Sequence, residues 1–305
     1  MDEKVLLNHF KDRLQRDVPL SRFTTSRVGG PARFYVSAED ARQLAEDVRF
    51  LWEQNIPLLV LGSGANILVS DAGLDKVAVH NQARQITADM ESSPFTLSAE
   101  SGAKLTSVAR KAAELGLTGL EWASTVPGTV GGAVYGNAGA FGSNTQSSLI
   151  LAEIFHRTKG FLTLTSAEMG YAYRSSALKR QPGEALILCA RFAVEKGDPK
   201  LIEATMKDFS ERRRGSQPAG PSTGSTFKNP PGDYAGRLIE AAGLKGTRIG
   251  GVAISDLHGN FFINDGTATA QNYYDLIQLV KKTILEKFGV ELDTEIEIIG
   301  DWQTK

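Results

Sequence analysis

The sequence has few residues that could bind a metal or form a disulfide. The 305-residue chain contains one cysteine, Cys189, and four histidines. A single cysteine excludes an internal disulfide and any multi-cysteine zinc or iron–sulfur site. Because Cys189 lies in the apolar run Ala-Leu-Ile-Leu-Cys-Ala, we expect a buried, unreactive thiol rather than a nucleophile. The histidines, at positions 9, 80, 156 and 258, form no HExxH pair, so we expect no metal site.

The chain also lacks an excess of charge and a long apolar segment. Its formal net charge is −1, and this argues against a nucleic-acid partner because such binding requires a strongly basic face. No apolar run approaches the ~20 residues that span a membrane. The N-terminal sequence MDEKVLLNHFKDRL is charged, unlike a signal peptide. We therefore expect a cytoplasmic protein without a membrane partner, acting as a monomer.

The length and the order of elements indicate an α+β protein with two or three domains, at about 100–200 residues per domain. Short strands and helices follow one another irregularly, which favours an α+β fold over a regular parallel alternation. Lys-Gly-Asp-Pro at 196–199 is typical of a linker. Predicted helices cover 41–52 (with Ser37 as N-cap), 105–115, 200–214, 234–242 and 269–288. Predicted strands cover 34–36, 56–61, 149–156, 161–165, 185–194, 248–254, 260–264 and 292–299.

Two glycine-rich loops stand out. Gly62-Ser-Gly-Ala-Asn66 follows a predicted strand, and residues 128–142 contain six glycines. Clustered glycines present consecutive N–H groups to an anion, so two such loops suit a ligand with a pyrophosphate. Tight turns and close packing would explain them equally well. Neither loop is a GxGxxG fingerprint and no GxxxxGK[ST] occurs, so a dinucleotide held in another fold remains.

A third loop, residues 221–231, carries several polar groups between backbone breakers. Ser225, Lys228 and Asn229 lie within five residues, with a glycine before them and two prolines after them. Such a string suits either a surface turn or a loop whose polar groups converge on a ligand.

Charged side chains elsewhere offer further candidates. Arg174 lies among aromatic and hydroxyl residues, where it could stack at the surface or bind a carboxylate. In the predicted strand 292–299, alternation puts Asp293, Glu295 and Glu297 on one face, which is either solvated or functional. The run of three arginines at 212–214 ends a predicted helix, where it suits the helix dipole or substrate phosphates.

Taken in order, these segments resemble the UDP-N-acetylenolpyruvoylglucosamine reductase (UDP-N-acetylmuramate dehydrogenase) family. The matching segments are Thr24–Ala32, Leu61–Leu68, Val126–Ala133, Asn137–Gly142, Tyr173-Arg174, Gly224–Pro230, Ala242–Gly251, His258–Phe261 and Leu292–Gly300. They cover nearly the whole chain in family order, and this ordered set is highly specific.

The resemblance implies a two-part FAD-binding region of the vanillyl-alcohol-oxidase type and a C-terminal α+β substrate domain. The implied bounds are 1–75 and 76–197 for the two FAD-binding subdomains and 198–305 for the substrate domain. FAD would be bound non-covalently, and NADPH would be the co-substrate. The implied cofactor contacts are Gly62, Ser63, Gly64, Ala65, Asn66, Thr125, Gly128, Thr129, Gly132, Asn137, Ala138 and Gly139. The implied substrate contacts are Tyr173, Arg212, Lys228 and Asn229.

The resemblance also implies a reaction. NADPH reduces FAD, and flavin N5 then transfers hydride to the vinyl carbon of the enolpyruvyl ether of UDP-N-acetylglucosamine. Arg174, with Glu295 as its acidic partner, would stabilise the charge that builds on the carboxylate as an enolate forms. Ser225 would protonate the adjacent carbon. The product, UDP-N-acetylmuramate, is a precursor of peptidoglycan.

Two departures from the family pattern are visible. Many relatives carry a basic residue where this chain has Glu297, which leaves a phosphate contact there in doubt. The stretch between Arg174 and Ser225 is short, which resembles the shorter class of the family.

Two other functions stay open at this point. Flavin oxidases that act on alcohols or lactones often tether the flavin through histidine or cysteine, and neither glycine loop contains one. A nucleotide-sugar sensor without catalysis would not need Arg174, Ser225 and Glu295 together.

Overall fold

The computed structural model describes residues 2–302 of the chain. They divide into two compact units. Unit 1 comprises Met1–Arg13, Val36–Ser63 and Ala78–Arg213, and unit 2 comprises Leu14–Tyr35, Gly64–Val77 and Arg214–Lys305. The sequence predicted three parts, with boundaries at residues 75 and 197, from the expected FAD-binding subdomains. The division into two compact units does not test those boundaries, so the three-part division stays a prediction.

The helices alternate irregularly with short strands. The α-helices are α1 (Glu3–Phe10), α2 (Ala41–Glu53), α3 (Leu105–Glu114), α4 (Val130–Gly136), α5 (Thr145–Ser148), α6 (Ala177–Arg180), α7 (Pro199–Ser216), α8 (Ala235–Ala241) and α9 (Ala270–Phe288). Short 3-10 helices cover Lys11–Arg13, Leu20–Arg22 and Glu121–Thr125. None of the helices within residues 2–302 is both long enough and apolar enough to cross a membrane.

The strands are mostly short. They are β1 (Gln15–Pro19), β2 (Pro31–Ala38), β3 (Leu58–Leu61), β4 (Ile67–Val69), β5 (Leu74–Asn81), β6 (Ile86–Asp89), β7 (Phe95–Glu100), β8 (Leu117–Thr118), β9 (Gly139–Ala140), β10 (Ser143–Asn144), β11 (Leu149–His156), β12 (Gly160–Thr165), β13 (Ala185–Lys196), β14 (Arg248–Ile249), β15 (Val252–Ile254), β16 (Phe262–Asn264) and β17 (Glu297–Ile299). The mixture confirms the α+β class predicted from the sequence.

Unit 1 is built on an antiparallel sheet. Its strand order is β12-β11-β13-β7-β6, with β8 added beside β13. Helices α3 and α4 contribute apolar side chains to the core of this unit. On α3 the buried residues are Leu105, Val108, Ala109 and Ala112, the spacing of one helical face. Burial of this stripe explains why the sequence pattern predicted the helix.

Unit 2 is organised around α9. The side chains of Tyr273, Leu276, Ile277, Val280 and Ile284 on this helix are fully buried. They pack with α8 and with the three-stranded sheet β14-β15-β16. A second pairing in this unit joins β17 to β4 in parallel, with Glu297 opposite Ile67. This pairing brings the end of the chain beside the loop that follows β3.

Two local predictions were wrong. Asp40, not Ser37, caps α2, because Asp40 accepts a hydrogen bond from the backbone N–H of Gln43 at 2.8 Å. Ser37 belongs to β2 instead, and its hydroxyl donates to the side chain of Glu39. The strand predicted over 292–299 is shorter, and regular pairing covers only Glu297–Ile299.

The charged face predicted on that strand is also only partly exposed. Asp293 is exposed, whereas Glu295 and Glu297 are half-buried. Other segments hydrogen-bond to the backbone here, so the chain is not a free edge strand.

Strands β5, β6 and β7 and helices α1 and α4 were not predicted as elements.

Cys189 was predicted to be a buried, unreactive thiol. This residue lies in β13, where burial raises the pKa of its thiol to about 11. A thiol with so high a pKa is protonated at neutral pH and is a weak nucleophile, as expected. The predicted full burial was wrong, because Cys189 is only half-buried in this strand.

Candidate active site

In unit 1, the beginning of the first glycine loop touches the second. A Cβ on Gly62 would lie 2.6 Å from Oγ1 of Thr129, so only glycine permits this approach. Thr129 is the N-cap of α4, and its side chain accepts from the N–H of Gly132. Three residues predicted to contact a cofactor are thus brought together by the fold.

The N-terminus of α4 is less open to an anion than its glycines suggest. The N–H of Val130 donates to the carbonyl of Ala103, and that of Gly131 to the carbonyl of Ser101, both at 2.8 Å. These two donors are therefore committed to the protein. Gly128, just before the helix, has a φ of 126°, and a Cβ built on it would meet no atom within 4 Å. Open space beside Gly128 leaves room for a ligand at this loop.

Buried hydroxyl groups lie beside the same loops. The side-chain oxygens of Ser63, Ser124 and Thr125 are buried and have no hydrogen-bond partner within residues 2–302. A buried hydroxyl without a partner is unfavourable, and such groups usually meet a ligand or water. Three of them in or beside the predicted cofactor loops of unit 1 fit a cofactor rich in oxygen and nitrogen atoms, as FAD is.

The rest of the first glycine loop belongs to unit 2. Gly64 has a φ of 58°, and a Cβ there would lie 2.1 Å from the carbonyl oxygen of Phe23. This glycine is required both by the backbone conformation and by the close approach. In the part of unit 2 that the structure describes, the N–H groups of Gly64, Ala65 and Asn66 donate to no other residue. Consecutive N–H groups of this kind form a nest for an anion.

Asn66 joins this loop to the predicted catalytic glutamate. Its side-chain Nδ2 donates to the carbonyl of Glu295 at 3.0 Å. Its own carbonyl accepts from the N–H of Glu297 at 2.9 Å. The backbone of Glu295 is therefore fixed against the end of the predicted cofactor loop.

The segment that carries Ser225 lies between two others in unit 2. On one side, Ser225 is opposite Phe261 in an antiparallel bridge. On the other, the N–H of Glu295 donates to the carbonyl of Thr226 at 2.9 Å. The N–H of Lys228 likewise donates to the carbonyl of Asp293. Ser225 and Glu295, predicted to be catalytic, are thus on adjacent extended segments.

The start of the Ser225 loop is anchored as well. The carbonyl of Pro221 accepts from the N–H of Asn264 at 3.0 Å and from the hydroxyl of Tyr273 at 3.4 Å. Tyr273 is fully buried. Burial raises the pKa of its hydroxyl, which therefore stays protonated as a donor. The loop is consequently tied to the core of unit 2 before it reaches Ser225.

Two predicted substrate residues follow Ser225. Lys228 has its Nζ 3.9 Å from the carboxylate of Asp293, and both side chains are solvent-accessible. Asn229 accepts from the N–H of Ala235 at 3.1 Å through Oδ1, at the first turn of α8. Part of the hydrogen-bonding capacity of Asn229 therefore serves the fold.

Arg174 lies in a tight turn of unit 1. Ala172 and Ser175 exchange two backbone hydrogen bonds of 3.1 Å, which leaves Tyr173 and Arg174 as the two turn residues. Arg174 has a φ of 53°, a left-handed conformation that costs a non-glycine residue about 1 kcal/mol or more. Its Nη2 donates to the carbonyl of Gly139 at 3.3 Å, and its guanidinium lies 5.3 Å from the ring centre of Tyr173. The turn therefore brings Arg174 to the second glycine loop.

Asn137 holds this turn in place. Its Nδ2 donates to the carbonyl of Ala172 at 3.1 Å, and its Oδ1 accepts from the N–H of Gln146 at 3.0 Å. The residue is buried and occupies the left-handed C-cap of α4. Its neighbour Ala138 accepts a backbone hydrogen bond from Thr145. The side chain of Asn137, predicted to contact the cofactor, thus orients the Arg174 turn.

The neighbouring arginines at the end of α7 differ in how far they are buried. Arg212 is exposed and pairs with Asp208, one turn earlier, at 2.8 Å. Arg213 is the more buried of the two, and its burial lowers the pKa of its guanidinium. The sequence could not show which of the two arginines is exposed, because exposure depends on which face of α7 is covered.

Comparison with known protein families agrees with the predicted cofactor and the predicted family. A family model described as FAD binding domain matches residues 32–155, and one described as UDP-N-acetylenolpyruvoylglucosamine reductase, C-terminal domain, matches residues 217–299. The UDP-N-acetylenolpyruvoylglucosamine reductase of Chloroflexus aggregans is 40% identical over 94% of this chain and 97% of its own length. That of Lactobacillus johnsonii is 40% identical over 94% and 95%.

The chain belongs to this family.

A solved structure agrees with the assignment. The UDP-N-acetylenolpyruvylglucosamine reductase of Thermus caldophilus aligns with a TM-score of 0.80 and 34% identity, over 94% of this chain and 98% of that one. The predicted family is confirmed. So is the predicted α+β fold, with an FAD-binding region followed by the family's C-terminal domain. The protein is an FAD-containing oxidoreductase.

Two positions matter to the site but were not predicted. Ser124 supplies one of the buried hydroxyls without a partner, and only the folded structure distinguishes it from other serines. Asn260 contacts the Ser225 segment directly. Its signal was present in the sequence, since His258–Phe261 is one of the segments that resemble the family, but no role was assigned to it.

Proposed function

We propose that this protein reduces the enolpyruvyl ether of UDP-N-acetylglucosamine to UDP-N-acetylmuramate, with NADPH as co-substrate. The observation that carries the proposal is the adjacency of the Ser225 and Glu295 segments in unit 2, next to Asn66 of the predicted cofactor loop. A proton donor and an acidic partner beside a flavin are what the reduction of an enolpyruvyl ether requires. The relatives named as this reductase match nearly the whole chain, which supports the same assignment.

FAD, when bound, supplies the two-electron carrier between the nicotinamide and the sugar substrate. The chain offers two sets of groups to hold it. In unit 1 these are the buried hydroxyls of Ser63, Ser124 and Thr125, which lack protein partners within residues 2–302. In unit 2 they are the N–H groups of residues 64–66, which would bind pyrophosphate oxygens. Neither glycine loop contains histidine or cysteine, in keeping with non-covalent binding.

Arg174 would bind the substrate carboxylate and stabilise the charge that develops there. Its planar guanidinium matches a carboxylate with two parallel hydrogen bonds. The left-handed turn and the bond to Gly139 hold the side chain before substrate arrives. Preorganised donors of this kind are typically worth ~3 kcal/mol of transition-state stabilisation. Tyr173, in the same turn, would contact the substrate.

Ser225 would donate the proton that completes the reduction, and Glu295 would be the acidic partner of the site. A serine hydroxyl is a weak acid, but the carbon of an enolate is basic enough to accept its proton. Hydrogen bonds on both sides hold the Ser225 segment, so the hydroxyl is kept at a defined position. General acids of this kind contribute roughly 10²–10⁴-fold to the rate.

Lys228, Asn229 and Arg212 would contact the nucleotide part of the substrate. Lys228 is solvent-accessible beside Asp293, so its ammonium can exchange that partner for a phosphate. Arg212 is exposed on α7 and can do the same. The product would enter peptidoglycan synthesis, in agreement with the cytoplasmic location expected from the sequence.

The test is the visible spectrum of the purified protein under anaerobic conditions. NADPH should bleach the flavin absorbance, and the enolpyruvyl sugar nucleotide should restore it with formation of UDP-N-acetylmuramate. A protein that is bleached by NADPH but not reoxidised by this substrate contradicts the proposed substrate. Acid precipitation should release the yellow cofactor, and retention in the pellet would indicate a covalently bound flavin.

A further inference from the structure

Asn260 makes an unusual set of contacts with the segment that carries Ser225. Its side-chain Oδ1 accepts from the N–H of Phe227 at 2.9 Å, and its Nδ2 donates to the carbonyl of the same residue at 2.8 Å. The side chain thus pairs with both backbone groups of one residue, as a neighbouring strand would. Asn260 is 3% exposed, so water cannot replace either hydrogen bond.

The backbone of Asn260 reinforces this contact. Its carbonyl accepts from the N–H of Thr226 at 2.9 Å, and the next residue, Phe261, is opposite Ser225. Residues 225–227 are therefore all held by the dipeptide Asn260-Phe261. Regular strand pairing does not continue here, so the side chain of Asn260 supplies the hydrogen bonds that a ladder would have made.

The loop that presents Asn260 is itself closed by hydrogen bonds. The N–H of Asn260 donates to Nδ1 of His258 at 3.2 Å, and that of Phe261 to the carbonyl of His258 at 3.0 Å. Ser255 closes the loop by donating its N–H to the carbonyl of Phe261 at 2.9 Å. Because residues 255–261 are fixed in this way, Asn260 can hold the Ser225 segment in a defined position.

We propose that Asn260 is a positioning residue that sets the placement of the Ser225 hydroxyl for proton transfer. Asparagine is suited to this role because its amide combines a donor and an acceptor on a short side chain. An aspartate has the same shape but carries no donor for the carbonyl of Phe227. This inference rests on the proposed function, in which Ser225 is the proton donor, and adds a role that Asn260 performs through it.

The experiment compares Asn260→Asp and Asn260→Ser with the matched control Asn264→Asp in the FAD-loaded enzyme. Asn264 is equally buried, and its Nδ2 donates to the carbonyl of Ser26 at 2.9 Å, but among the described residues its side chain makes no hydrogen bond to residues 225–228. The control therefore loses a comparable buried hydrogen bond in the same unit. Reduction by NADPH and reoxidation by the sugar substrate are measured separately by stopped-flow absorbance.

We expect both Asn260 variants to slow reoxidation by about 100-fold, the cost of a small misplacement of a reacting group. Reduction by NADPH should stay within about twofold of the unchanged enzyme. The solvent isotope effect on reoxidation should rise, because proton transfer becomes slower. Asn260→Asp combined with Ser225→Ala should be no slower than Ser225→Ala alone, because the two residues act through one hydroxyl.

Three results would overturn the inference: equal loss in both half-reactions, reoxidation no slower than in Asn264→Asp, or losses that add in the double variant. If one Asn260 variant fails to fold, the other gives the same comparison. Failure of the proposed function has a different signature. In that case Ser225→Ala itself would leave reoxidation unchanged, whatever the Asn260 variants do.

Discussion

The side chain of Asn66 donates to the backbone carbonyl of Glu295 at 3.0 Å, although the two residues are 229 positions apart. Asn66 ends the loop that is expected to hold the flavin pyrophosphate, and Glu295 is the predicted acidic partner of the reaction. The parallel pairing of β4 with β17 continues this contact for three residues beyond it. The predicted cofactor loop around Asn66 and the predicted catalytic segment around Glu295 are therefore joined by hydrogen bonds within unit 2.

Ser225→Ala should separate the two half-reactions. The hydroxyl is needed only when the substrate carbon is protonated, so reduction by NADPH should proceed at the normal rate. Reoxidation by the sugar substrate should fall by roughly 10²–10⁴-fold. Ser222→Ala, in the same loop, is the control and should be nearly unchanged. Equal loss in both half-reactions would remove the role of proton donor from Ser225.

Arg174→Gly should increase stability and remove activity. Arg174 has a φ of 53°, which glycine adopts without the strain that an L side chain meets. We expect the free energy of unfolding to rise by as much as about 1 kcal/mol, measured by urea denaturation. Turnover should fall by at least ~10²-fold because the guanidinium is lost. Arg174→Ala is the control: it loses the same guanidinium but keeps the strain. Glycine no more stable than alanine at this position would contradict the strain interpretation.

Asn137→Asp should displace the Arg174 turn. The variant keeps an acceptor for the N–H of Gln146 but loses the donor to the carbonyl of Ala172. We expect slower reoxidation by the substrate with little change in flavin content. Combination with Arg174→Lys should cost no more than Arg174→Lys alone, because both changes affect one guanidinium. Loss of flavin with an unchanged rate per bound flavin would instead support the direct cofactor contact predicted from the sequence.

Stability should fall on mild acidification because of three histidines whose pKa values are lowered in the folded protein. Partial loss of hydration lowers the pKa of His9, His80 and His258 below the ordinary value of 6.5, so the folded state binds their protons less readily than the unfolded state. Their contribution is complete above about pH 6.5 and decreases as pH falls toward the lowered pKa values. Urea unfolding at about pH 7.5 and 5.5 measures the difference, above the range where carboxylates titrate. His80→Gln should reduce the slope, and a stability that rises on acidification would refute this account.

Several helices and strands could be predicted because their patterns are local. The apolar positions of α2 recur at helical spacing, and Leu44, Ala45, Val48 and Leu51 are indeed buried. Strand β11 was predicted with the bounds that the structure has. Where the prediction failed, a competing local group decided the outcome. Asp40 caps α2 instead of Ser37 because β2 extends to Ala38 and keeps Ser37 in strand conformation.

By itself, the sequence determined the family, the fold class and the candidate site residues, because ordered motifs and local periodicity are properties of the chain's covalent order. It could not show that Asn66 meets Glu295, that Asn260 pairs with Phe227 or that Asn137 supports the Arg174 turn. Each of these contacts joins residues at least 33 positions apart in the chain. Only the tertiary structure brings such partners within hydrogen-bonding distance, since the short range of that interaction makes it depend on the path of the whole chain.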